Sequence, residues 1–322
     1  MKSAPIPHGE QSTEPLQQEW RQRFVAWRTF LAQCACKPNR KSVHALRALT
    51  LRLQVGIEHS LKQAADPAAA RAFERWNKDA KKLRKALQPV RDADVQLSLL
   101  DHLRDHSQES DKTPLSPNCM REIDKLEERL RRERLAAVDE LVAVLCARGK
   151  RLHRLSKEMQ AALAAHLLPH APSTAAAALA IFAEAASLLP RLDAANLHEY
   201  RKLLKPALYL SEISAAADPL AGRLNAAFRK IQDAAGEWHD WQALAQEAGR
   251  FLPGHGRPDG LVPVLQARAK KALRRALGQC RRSMASYRKY AGKTPPSLRK
   301  KPIAAERAMP LDGDDLETGT CR

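Results

Sequence analysis

A histidine and an arginine three positions apart on a helix share one face. This chain carries that pair twice, as Val43-His44-Ala45-Leu46-Arg47 and as Leu197-His198-Glu199-Tyr200-Arg201, with the histidines 154 residues apart. An imidazole donates an N–H or becomes a cation near neutral pH, and a guanidinium grips two oxygens at once. The first turn continues to Leu51 and Arg52, the second to Lys202 and Lys205. The chemistry on offer is recognition of anionic oxygens, and its duplication points to a long polyanion.

Other stripes of cations follow helical spacing. Lys78, Lys81, Lys82 and Lys85 recur on one face, as do Arg268, Lys271 and Arg275, and Arg223 and Lys230 stand seven apart. A charge run on a helix is most often a solvated face, so these stripes count as candidates only beside the duplicated motif. The segment from Arg121 to Arg134 mixes Glu and Arg evenly and reads as intrahelical pairing. Arg91-Asp92 and His239-Asp240 lie 47 and 41 residues after their respective motif histidines. They read as helix-opening markers whose charged groups serve capping or buried pairing.

The formal charge is +19, from 55 Lys and Arg against 36 Asp and Glu. Residues 1–18 hold one basic and two acidic groups and residues 291–322 hold six and five, so the excess sits between them. A folded body with such a field attracts polyanions. No stretch approaches the roughly 20 apolar residues of a membrane span, and Met1 to Gln18 has no apolar leader core, so a cytoplasmic protein is expected. The six cysteines show no C-x-x-C spacing and read as reduced thiols.

The elements that must position these residues are helices: the composition is rich in Ala, Leu, Arg, Lys and Glu, and β-alternation is absent. Segments are expected near 20–35, 40–62, 68–87 and from Pro89 to about 106, then a long one at 119–166. The second series runs 173–189, 194–214, 219–235, 238–251 and 261–290. The order repeats, which is an internal duplication. Tails at 1–18 and 291–322 are expected to be disordered.

On these paired motifs the chain resembles the CHAD family, the conserved histidine α-helical domain, as a stand-alone member spanning about residues 19–290. The resemblance implies an all-α fold of two four-helix-like bundles, about 19–168 and 173–290, related by a pseudo-twofold axis with a basic surface or channel between them. It also implies non-catalytic binding of inorganic polyphosphate, with no cofactor and no metal, and a place at intracellular polymer granules. The matching positions are His44, Arg47 and Arg52, then His198, Arg201 and Lys205, with Tyr209 at an aromatic position. Leu51, Gln54, Pro206 and Leu208 stand where the family usually has further basic groups, and Pro206 is expected to kink its helix.

Three alternatives stand beside this reading. One is an adaptor docking on polymer granules; another is nucleic-acid binding, for which net charge alone gives nonspecific affinity. The third is a metal-dependent phosphohydrolase of the HD class, prompted by His239-Asp240 with His198 as a further ligand. The sequence leaves the oligomeric state open.

Overall fold

The structure is a computed structural model, and it describes residues 14–64, 66–108, 114–167, 174–216, 218–252 and 257–291. Among them are eight α-helices: α1 (Glu14–Cys36), α2 (Arg40–Ala64), α3 (Pro67–Gln108), α4 (Pro117–Ala162), α5 (Thr174–Leu188), α6 (Leu197–Ile213), α7 (Pro219–Phe251) and α8 (Leu261–Ala291). A π-helical turn, Leu163–Leu167, follows α4. No strand occurs among the described residues, and the fold is all-α.

Helix starts follow the local chemistry. Asn39 and Ser42 bond reciprocally before α2: Asn39 Oδ1 accepts from Ser42 N (3.0 Å) and Ser42 Oγ from Asn39 N (3.1 Å). This satisfies backbone donors and fixes the entry to the turn that carries His44. Ser116 and Asp218 cap α4 and α7 with proline in the first turn, the position where a missing N–H costs nothing.

Two breaks expected from the sequence do not occur. Pro89 was expected to start a helix, yet α3 runs unbroken from Pro67 to Gln108 through it. Likewise α7 continues through Gly236, where a break was expected. In α3 the reason is its antiparallel partner. Arg148 and Arg151 of α4 hold the buried Asp79 at 2.9 and 2.8 Å, Arg134 holds Asp94, and Arg104 holds Asp124 and Glu127. Ion pairs on both sides of Pro89 hold α3 against α4 through the position where the proline alone would favour an end. At the N-terminus α1 already begins at Glu14, which shortens the tail expected over 1–18. The remaining tail residues, 1–13 and 292–322, lie outside the described set.

Helices α1–α4 enclose one bundle, and α5–α8 pack in succession as a second. Trp27 anchors the first: its Nε1 donates to Thr50 Oγ1 (2.8 Å) and its ring meets Trp76 edge-on at 6.0 Å. Phe182 and Phe228, 5.4 Å apart, play that part in the second. Between the groups α2 meets α6, α3 meets α7 and α4 meets α8. At the last junction Glu122 Oε2 accepts from Leu261 N (2.6 Å), a carboxylate capping the positive end of α8.

Close approach at α2 depends on Gly56. A Cβ there would lie 2.4 Å from Cη2 of Trp20 on α1 and 3.0 Å from Cδ1 of Ile213 on α6. Gly56→Ala should therefore overpack the junction of α1, α2 and α6 and cost about 1–3 kcal/mol. A lowered thermal midpoint and an earlier denaturant transition, with helix content retained, would register it.

Candidate anion-binding site

The two histidine helices meet, and an acid ties the meeting point together. Arg52 on α2 donates through Nε to Glu212 Oε2 on α6 at 2.6 Å. Its guanidinium also lies over the Tyr209 ring, 5.6 Å from the centroid. Glu212 takes a second arginine, Arg229 of α7, at 3.1 Å, and its backbone carbonyl accepts from Arg23 of α1 at 3.3 Å. Four helices thus converge on one residue. Burial works against the Glu212 carboxylate's charge, but Arg52, Arg23 and Arg229 outweigh it and hold its pKa below the usual range.

Arg47, Arg52 and Arg201 share Tyr209 as a neighbour. Burial raises the phenol's pKa, and the positive charge of the three arginines opposes that rise. The Arg201 guanidinium reaches across to α7, where a Cβ on Gly236 would lie 3.8 Å from its Nε and Nη2. Helix α6 runs continuously through Pro206. Gln232 Nε2 of α7 donates to the Arg201 carbonyl at 2.8 Å. One turn earlier the rings of His198 and His239 face each other, with centroids 4.6 Å apart.

The fourth wall is α3. Arg91 reaches Asp240 of α7 with Nη1 and Nη2 at 3.2 and 3.3 Å, and its own neighbour Asp92 at 3.0 Å. Burial disfavours this guanidinium's charge, and Asp240 and Asp92 overcome the penalty, raising its pKa. His44 belongs to the same field. Much of its surface reaches solvent, yet the protein packed around the ring pushes its pKa down first, and Arg91, Arg47, Arg52 and Arg40 push it further. At neutral pH it is an uncharged imidazole with one N–H to offer.

Of the candidates read from the sequence, His44, Arg47, Arg52 and Arg201 come together here. His198 and Lys205 lie on the α6 face that carries Arg201 and Tyr209, by helical spacing. Lys202 pairs with Glu199 at 3.2 Å near the surface. Lys78, Lys82 and Lys85 are exposed on the outer face of α3, whereas Lys81 is half-buried. By spacing, Lys81 lies on the flank that carries Arg84 and Arg91. Arg223 and Lys230 are exposed elsewhere on α7. Arg268, Lys271 and Arg275 line a different cavity, between α7 and α8.

Sequence reasoning missed Glu212 and Arg229, and it read Arg91-Asp92 and His239-Asp240 as helix-opening markers. Both pairs lie inside continuous helices, so capping is not their role. The paired reading holds: Arg91 and Asp240 join the halves. Asp240, a metal ligand in the hydrolase alternative, gives both carboxylate oxygens to Arg91. The departures at Leu51 and Gln54 also have a reason, because both are only 5 % exposed and a cation there would lie buried.

The family model for the CHAD domain matches residues 18–249. The chain belongs to the CHAD family. No curated protein matches it significantly. Among solved structures, PptA from Streptomyces chartreusis shares the fold at a TM-score of 0.58 and 17 % identity, covering 86 % of this chain and 99 % of that one. The family match takes in both histidine motifs and α1 to α7 nearly whole; α8 lies beyond it. No helix among the described residues is long and apolar enough to cross a membrane.

A histidine whose folded pKa lies below its unfolded value resists protonation in the folded state. Its contribution to stability is complete above the unfolded value of about 6.5 and is lost as pH falls through it toward the folded pKa. His44→Gln should therefore lessen the loss of stability between about pH 7 and pH 5. Denaturation midpoints of both proteins across that range would show it, and parallel curves would refute the assignment.

Proposed function

We propose that this CHAD protein binds inorganic polyphosphate without chemically altering it, in the seam where α2, α3, α6 and α7 meet. The observation that carries the reading is the convergence of Arg47 and Arg52 with Arg201 around Tyr209, with His44 in the field of the same Arg47 and Arg52, from two helices bearing the same motif. A polyphosphate chain offers only closely spaced anionic oxygens. Guanidiniums held on rigid helices match such oxygens in pairs, and the fixed helix axes supply the spacing.

The pseudo-twofold relation of the halves belongs to the same proposal. Helices that correspond in the repeated order meet each other across the junction, so a linear ligand would meet one motif and then the other. His198, Lys202 and Lys205 extend the seam along α6, and Lys81 extends it along α3. Stretches of exposed lysine such as Lys78, Lys82 and Lys85 add field rather than grip. Nucleic acid is the competing ligand class, and the seam offers it little: Tyr209 already lies under Arg52, so its ring is not a free platform for a base.

The test is a parallel titration of long-chain polyphosphate, single-stranded DNA and duplex DNA at several salt concentrations. Polyphosphate should bind tightest, and Arg47→Ala and Arg201→Ala should each weaken it by roughly tenfold, about 1.4 kcal/mol, with a larger loss in the double variant. Equal binding of all three polymers, unchanged by these substitutions, would refute the proposal. Phosphate release on adding Mg²⁺ or Mn²⁺ would count for the hydrolase instead.

A further inference from the structure

Beside the seam, on the α8 side of α7, a cavity of about 290 Å³ is lined by His102 of α3, Glu237 and Trp241 of α7, and Arg268, Lys271 and Arg275 of α8. Three cations share it with one carboxylate, Glu237, which lies 3.5 Å from Arg275. The buried Trp241 forms part of the wall, and the His102 ring sits 6.3 Å from the indole.

The junction between α4 and the far end of α7 is filled in another way. There Arg129 of α4 pairs with Glu247 and Glu133, each at 2.7 Å, and stacks on the Phe251 ring at 4.6 Å. Nearby on α4, Arg134 is held by Asp94. On that side both arginines are matched by acids. On the α8 side, cations one helical turn apart line an open space. Like charges so placed repel one another and favour an anion between them. The α8 wall also lies beyond the segment the family model matches.

We propose that this cleft is a second anion site, separate from the seam, and that it takes a compact oligophosphate of two or three linked phosphoryl groups. Its size suits a short anion better than a polymer strand. Arg268 and Lys271, three apart, bracket one phosphoryl group. Arg275, released from Glu237, reaches the next. The same chemistry serves an inorganic oligophosphate or the phosphate tail of a nucleotide, and Trp241 reports on either.

Tryptophan fluorescence of the full chain, titrated with inorganic tripolyphosphate and separately with ATP, tests this. Tripolyphosphate should change the emission saturably, and Trp241→Phe should remove the change. Arg268→Ala with Lys271→Ala should weaken binding by roughly tenfold or more, and Glu237→Gln, which removes the opposing carboxylate, should tighten it. In the Arg47→Ala/Arg201→Ala variant the Trp241 emission should still respond to tripolyphosphate at the parent's midpoint. Similar affinity for ATP would mean that only phosphate is read, and tighter ATP binding would mean that the indole and imidazole also contact the base. Affinity unchanged in the Arg268/Lys271 variant, or lost equally in the Arg47/Arg201 variant, would overturn the second site. Loss of long-chain binding in the seam variant is read independently, so the two proposals fail separately.

Discussion

Arginines drawn from several helices into one place repel each other, and the meeting of the two halves must answer that repulsion. Glu212 and Asp240 do so. Glu212 receives Arg52 and Arg229 on its carboxylate and Arg23 on its backbone carbonyl, while Asp240 takes both ends of the Arg91 fork. Without them, α2 would face α6 across uncompensated guanidiniums in a half-buried space, where charge is less screened than at the surface. With them the halves are joined by polar bonds of fixed geometry, beside apolar contacts such as those of Trp20 and Ile213 around Gly56. The distinction matters because polar bonds fix register, which a site for spaced oxygens requires.

Much of this was legible in the sequence. The helices announce themselves through periodicity and composition, and the repeated His-x-x-Arg turns mark the two helices that meet. What the sequence did not convey was which contacts override a local signal. Pro89 is ordinarily a helix start or a break, and the buried Leu83, Leu87 and Val90 around it, with the ion pairs that zip α3 to α4, explain why the helix continues. Gly236 reads as a weak point, yet α7 runs on through it, with the Arg201 guanidinium alongside.

The candidate site was legible to the same depth. Spacing tells which residues share a face, not which way the face points, so the run from Lys78 to Lys85 looked uniform. In the fold three of its members face outward and Lys81 alone is half-buried. Spacing is also silent about partners far along the chain. Glu212 stands 160 residues from Arg52, and nothing local to either announces the bond. The cations of α8 had the right period but belong to another cavity.

The Glu212 node has one more consequence. Its carboxylate, like that of Asp240, is a counterion built into the chain. An arriving anion that recruits Arg52 or Arg91 must displace a resident negative group, so binding there is an exchange and not a simple addition. Mobile ions from solution are released only from cations that lack such a resident partner. The response of affinity to ionic strength should then fall short of what a count of arginines in the seam suggests. A site of this kind discriminates by geometry, because a newcomer must fit the arginines better than the acid it replaces.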